Sequence, residues 1–290
     1  MTTGTSTVDL RVEAALATLT LRRAAASNAL DLATKNDLLA AVTRIAADET
    51  VRAVLLTAEG KNFCVGQDLG EHVDALRADP ATAMDTVGAH YNPLLRALAD
   101  LPVPVVVAIR GACVGAGLGL ALAADIRVAG NGAKFATAFT GIGLAADSGL
   151  SHTLVRALGA SRAAGLMLLG DRFTAEQALA WGLIHRLVAD DDVDATAAEL
   201  ATTRLPASTA TGRVDGNSAS TAAATAGQSR HHTATTRLAR AAAGVTTRPP
   251  PPPEDRSPCA RCPRRTRPPA HRADAVRCVR AAAVPPGARR

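Results

Sequence analysis

Three short glycine-bearing segments hold the residues of this chain best suited to chemistry: Phe63–Leu69 (FCVGQDL), Gly111–Gly119 (GACVGAGLG) and Gly141–Gly149 (GIGLAADSG). In the second, Gly111, Gly115, Gly117 and Gly119 lie between an apolar β-branched run and an Ala/Leu run that ends at Asp125. Glycines so placed let main-chain N–H groups approach a ligand with no Cβ in the way, at the positive end of a helix. Such a cradle suits a phosphate, a developing oxyanion, or only the close packing of a turn, and this stretch alone leaves all three open. G-A-G-L-G is not the G-x-G-x-x-G of a dinucleotide site, and Asp125 follows too closely to be a ribose-binding acid. The third segment contributes Asp147, a carboxylate that a water-poor pocket would turn into a useful base; a loop or capping role ahead of Ser-Gly is the plainer alternative. Cys64 and Cys113 have apolar neighbours and read as small core residues. His72, His90, His152 and His185 have no metal-ligand spacing, although His152 is near enough to Asp147 in sequence to line a pocket with it.

The elements that must position these segments alternate between strand and helix patterns. Val8–Leu21 alternates crudely, as a strand pair near a sheet edge does, and Val51–Thr57 and Val103–Ile109 are apolar runs of buried-strand type. A helix follows Ser27-Asn28, either of which can cap it, with Leu30, Leu38, Leu39, Val42 and Ile45 on its apolar face. Residues 70–100 are mostly helical in pattern, punctuated by Pro80 and Pro93, and a helix closes the glycine turn before Asp125. Arg127–Phe139 predicts one short strand. Leu154–Leu169, Thr174–Trp181 and Ala195–Leu205 predict helices, with Leu183–Val188 a short strand; Thr174 and Gln177 match a capping box. The pattern is α/β, built of repeated β-then-α units.

Charge and composition divide the chain. Residues 1–205 carry 17 Lys and Arg against 22 Asp and Glu, whereas residues 206–290 carry 15 Arg, no Lys and 4 acids. The net charge of +6 is therefore an acidic body joined to a basic tail. The body is long enough for one domain with a substantial core. The tail has no Ile, Met, Phe, Trp, Tyr or Lys and a single Leu, so it cannot bury enough apolar area to offset the entropy of ordering it, and disorder is expected. Its C-x-x-C at Cys259–Cys262 lacks a second pair at zinc spacing, so no metal site is expected. Without aromatics or a folded module its arginines predict unspecific stickiness to anions rather than specific nucleic-acid binding. The N-terminus lacks a basic region followed by an apolar core, and no apolar run reaches membrane-spanning length, so a cytoplasmic, soluble body is expected.

Taken together, Asn28-Ala29-Leu30, FCVGQDL at 63–69, GACVGAGLGLALAADIRVA at 111–129, Ala133-Lys134-Phe135, GIGLAADSG at 141–149 and FTAEQALAWGLIHRLV at 173–188 resemble the crotonase superfamily, the enoyl-CoA hydratase/isomerase family. The resemblance covers nearly all of residues 10–205, in the family's order. It implies a crotonase-like spiral of ββα units that binds an acyl-CoA thioester, with coenzyme A part of the substrate and no separate cofactor. It implies an oxyanion hole made by the N–H groups of Gln67 and Ala116, and contacts to substrate or CoA from Arg23, Val65, Gly66, Asp68, Leu69, Gly115, Gly117 and Phe139. Asp68 has the alternative role of shaping its turn through main-chain N–H groups. Hydratases of the family use two glutamates, whose positions here correspond to Gly119 and Phe139, and neither can transfer a proton. Asp147 instead matches the single acidic residue of members that isomerise double bonds. The expected activity is thus isomerisation of a double bond or ring epoxide through an enolate, with enoyl-CoA hydration as the alternative. Ala146 stands where a proline is usual, and Gly70 where a lysine is usual.

Family members are homotrimers or hexamers, and their C-terminal amphipathic helices complete the pocket and its assembly. None is recognisable after residue 205. The simultaneous loss of six residue types points to a change of reading frame near Thr203–Thr209, which would leave a catalytically impaired member of the family.

Overall fold

The computed structural model describes residues 6–204; the tail read above as disordered or frame-shifted, residues 206–290, lies outside the described residues. Val8–Glu13 (β1) and Leu16–Leu21 (β2) pair antiparallel, as their alternation predicts. Helix α1 (Leu32–Ala47) leads to β3 (Ala53–Ala58), and α2 (Leu69–Ala78) and α3 (Asn92–Ala99) lead to β4 (Val105–Ile109). Two ββα units follow. The first is β4, β5 (Ala112–Val114) and α4 (Ala116–Leu122); the second is β6 (Ile126–Gly130), β7 (Lys134–Ala136) and α5 (Leu150–Leu158). Helix α6 (Ala160–Leu169), β8 (Phe173–Thr174), α7 (Ala175–Ala180), β9 (Arg186–Val188) and α8 (Val193–Glu199) complete the described chain.

Each ββα unit gives one strand to a six-stranded sheet, ordered β1-β2-β3-β4-β6-β9, and one to a three-stranded sheet, β5-β7-β8. The larger sheet is parallel from β2 onward. Parallel strands covered on both faces read as unbroken apolar runs, and β3 and β4 show why. Val54, Leu56, Val105, Val107 and Ile109 belong to the main core with α1, α3 and α4, while Ala53, Leu55, Val106, Ala108 and Val128 pack against Val193 and Ala197 of α8.

Four details differ from the sequence reading. The N-cap of α1 is Asp31, whose carboxylate accepts the Thr34 N–H at 2.8 Å; Ser27 and Asn28 both take positive φ in the turn before it. The Asn28 side chain instead pins that turn, accepting the Arg23 N–H and donating to the Glu59 and Asn62 carbonyls, each at 2.9 Å. Arg127–Phe139 holds two strands in two different sheets rather than one, and the glycine turn contains a strand of its own, β5. The helix expected over 154–169 is broken at Gly159, whose φ of +77° ends α5 and lets α6 start at once. The capping box at Thr174 and Gln177 forms as expected, with both of its hydrogen bonds present.

Candidate active site

Main-chain pairing brings the first two glycine segments together. The Phe63 and Cys64 N–H groups donate to the Arg110 and Ala112 carbonyls at 2.7 and 3.1 Å, and the Val114 N–H returns to the Cys64 carbonyl at 2.9 Å. On its other side the same stretch pairs with the turn before α1: Leu30 N–H donates to the Gly66 carbonyl at 2.7 Å and Asp68 N–H to the Leu30 carbonyl at 3.1 Å. Two glycines make this approach possible. A Cβ on Gly66 would stand 2.9 Å from the Val114 oxygen and 3.1 Å from the Ala116 nitrogen, and one on Gly117 would stand 2.8 Å from Cys64 Cβ. Gly66 (φ +89°) and Gly115 (φ +57°, ψ −126°) also hold backbone angles open only to glycine. Each immediately precedes a residue that lines the space between the loops, Gln67 and Ala116. Among the described residues neither N–H donates a hydrogen bond to a protein acceptor.

That space is a cavity of about 260 Å³. Val65, Leu69, Met84, Val87, Phe139, Ile142 and Leu144 give it an apolar wall, and Gln67, His72, Thr86, Tyr91, Thr137 and Asp147 are its polar side chains. Asp147 is the one carboxylate among the described residues that line it. Burial raises the Asp147 pKa above its ordinary value; a 2.7 Å hydrogen bond from the Ser148 hydroxyl to Oδ1 pulls the other way. Ser148 is itself buried, with a φ of +49° that a non-glycine residue adopts only when its surroundings enforce it. Ser148 packs against Gly119 on α4. A Cβ built there would overlap the Ser148 carbonyl oxygen and lie 3.0 Å from Ser148 Cβ. The loop that carries Asp147 therefore occupies the room that any side chain at position 119 would need.

Gln67, Ala116, Val65, Gly66, Leu69, Gly115, Phe139 and Asp147 all line this one cavity, and Arg23, Asp68 and Gly117 do not. The Arg23 guanidinium holds Asp31 and Asp68, each at 3.1 Å, and the Ala29 carbonyl. Asp68 caps α2 by accepting the Gly70 and Glu71 N–H groups. Burial would raise the Asp68 pKa, but those two bonds and Arg23 outweigh it and bring it below the ordinary value. Gly117 serves the contact with Cys64. The Cys64 thiol is pushed up to about 12 by burial, as suits a core residue. His152 is not among the lining residues, whereas His72, Thr86 and Tyr91 are. The sequence reading missed these three because they come from the helical stretch 70–100, where a lone His or Thr has no diagnostic spacing.

Comparison with known proteins gives one consistent answer. A family model described as enoyl-CoA hydratase/isomerase matches residues 11–240. The 1,2-epoxyphenylacetyl-CoA isomerase of Escherichia coli (strain K12) is 42% identical over 191 residues, covering 66% of this chain and 72% of that protein. A Rhodobacter capsulatus protein named "Probable enoyl-CoA hydratase" is 40% identical over 188 residues, covering 65% and 71%. A solved structure from Mycobacterium abscessus, described as an enoyl-CoA hydratase/isomerase, is 58% identical and superposes with a TM-score of 0.68 over 69% of this chain and 76% of that one.

Proposed function

The chain belongs to the enoyl-CoA hydratase/isomerase family, and from that premise we propose that it isomerises an acyl-CoA thioester through an enolate, with Asp147 as the sole proton carrier. Asp147 takes a proton from the carbon beside the thioester carbonyl. The C–H electron pair moves into the carbonyl, whose oxygen becomes an oxyanion facing the Gln67 and Ala116 N–H groups. When that charge returns, the displaced double bond takes the same proton from the Asp147 carboxyl two carbons further along. No atom is gained or lost, and the base ends as it began. Preorganised donors of this kind are worth about 3 kcal/mol each to such an intermediate. A desolvated carboxylate is a stronger base than a solvated one, which is the direction burial gives Asp147.

The observation that carries this reading is the single carboxylate. Hydration by the family's usual pair requires one carboxyl group to activate water and a second to protonate carbon, and among the described residues the cavity wall offers Asp147 as its one carboxylate, with Gly119 and Phe139 at the family's two positions. The contact between Gly119 and Ser148 explains why a carboxylate at 119 is excluded while Asp147 keeps its place. The similarity to the E. coli epoxide isomerase supports the same choice and extends it to thioesters bearing a ring epoxide. The test is a pair of incubations. A 3-enoyl-CoA should be converted to its conjugated 2-enoyl isomer while crotonyl-CoA is left unhydrated; rapid hydration of crotonyl-CoA with no isomerisation would overturn the proposal in favour of a hydratase.

A further inference from the structure

Behind the cavity wall lies a charged side chain that the reaction above does not use. Lys35 sits on the buried face of α1 with Leu38, Val42 and Ile45, where the helical pattern calls for an apolar residue, and its side chain is 0% exposed. Its ammonium donates to Thr86 Oγ1 at 2.8 Å, Glu71 Oε1 at 2.9 Å and Gln67 Oε1 at 3.2 Å, which uses all three of its hydrogens. It also lies 5.2 Å from the centre of the Tyr91 ring. Burying an ammonium carries a desolvation cost that an ion-pair partner offsets only in part, and the partner here, Glu71, keeps 33% of its side chain exposed. Stability therefore does not account for a lysine here.

What the cluster does fix is Gln67. Its Oε1 accepts from both Lys35 and the Tyr91 hydroxyl, the latter at 2.6 Å, and its Nε2 donates to Glu71 Oε1 at 3.0 Å. Glu71 is held in turn, accepting the Leu32 N–H on Oε2 at 2.6 Å. The side chain of Gln67 is thus bound from α1, from α2 and from the segment 86–91, and Gln67 itself lines the cavity. Gln67, Thr86 and Tyr91 line that cavity, and Lys35 and Glu71 stand behind them. A donor fixes an oxyanion only as well as its peptide is fixed; the Leu30 N–H holds this peptide at the Gly66 carbonyl, and the side-chain cluster holds it from the Gln67 side.

We infer that Lys35, held by Glu71 and joined by Tyr91, is a positioning clamp that locks Gln67 through its side chain so that the main-chain N–H stays aimed at the thioester oxygen. This rests on the reading of Gln67 as an oxyanion donor given above. Lys35 touches no substrate; it acts through Gln67.

The experiment uses an unreactive probe, octanoyl-CoA labelled with 13C at the thioester carbonyl, bound to the full-length protein and followed by infrared difference spectroscopy. In wild type the bound carbonyl stretch should move to lower wavenumber, because two N–H groups polarise it. In Lys35→Met/Glu71→Gln, which removes both charges and leaves no unpaired ion, the shift should shrink or vanish. The dissociation constant and melting temperature should stay near those of wild type, and kcat on a 3-enoyl-CoA should fall about 10- to 100-fold with KM little changed. A double variant that keeps the full shift and full kcat overturns the clamp and leaves the oxyanion reading standing. A wild-type protein that binds the probe with no shift overturns the oxyanion reading, and the clamp with it. If the double variant does not fold, Tyr91→Phe, which deletes one hydroxyl, decides in its place: loss of the shift supports the clamp and its retention overturns it.

Discussion

Gly119 is the most informative position to perturb, because one methyl group there pushes directly on the loop that carries the base. In the interior of a helix, Gly→Ala would ordinarily stabilise by up to ~1 kcal/mol through lower chain entropy. Here the new Cβ would overlap the Ser148 carbonyl oxygen and stand 3.0 Å from Ser148 Cβ. A backbone carbonyl yields far less readily than the end of a flexible side chain, so the overpacking cost of about 1–3 kcal/mol should exceed the helix gain. The loop can relieve the clash only by moving, and Asp147 is the next residue. A displacement of about 1 Å at a catalytic group costs on the order of 100-fold in rate. Gly119→Ala is therefore expected to lose up to about 2 kcal/mol of stability in urea unfolding and most of its kcat on a 3-enoyl-CoA. Gly119→Glu should be worse on both counts and should not hydrate crotonyl-CoA. A Gly119→Ala protein that is more stable than wild type and fully active would refute the packing argument. So would a Gly119→Glu protein that gains hydratase activity while still isomerising.

Other outcomes follow from the same geometry. The acid limb of kcat/KM against pH should have its midpoint above 3.8, the ordinary aspartate value, because burial raises Asp147; Ser148→Ala, which removes the hydrogen bond that lowers it, should move the limb to still higher pH. Asp147 should also cost stability as pH rises through the interval between its ordinary and raised values, since the folded state binds the proton more tightly there. Asp68→Ala removes the cap of α2 and a partner of Arg23, so calorimetry should show a loss of about 1–2 kcal/mol. The lowered pKa of Asp68 gives stability that is present above its unfolded-state value and lost as pH falls through the folded one, so the gap between variant and wild type should close in acid.

Sequence and structure part company at identifiable places. The α/β grammar was legible because parallel strands buried on both faces leave unbroken Val-rich runs, and the capping box at Thr174 is a purely local signal. The first two loops were legible as a pair only through the family resemblance; the structure adds the reason for two of their glycines, the close contacts at Gly66 and Gly117. Local patterns could not separate β6 from β7, because which sheet a three-residue strand joins depends on partners far away in sequence. Nor could they assign the cap of α1, where Ser27, Asn28 and Asp31 are all good capping types and tertiary hydrogen bonds give Asn28 other work. Arg23 looked available to a phosphate, yet its carboxylate partners Asp31 and Asp68 lie 8 and 45 residues away. Lys35 was invisible for the opposite reason: a lysine in a helix reads as a solvated face until the fold closes over it.

The central claim is that one carboxylate, Asp147, moves the proton. Its most direct test is Asp147→Asn assayed with a 3-enoyl-CoA by the absorbance of the conjugated product, alongside acyl-CoA binding to the same preparation. Isomerisation should fall by about 10²- to 10⁴-fold while the thioester still binds with wild-type affinity. An Asp147→Asn protein that isomerises at the wild-type rate would contradict the claim.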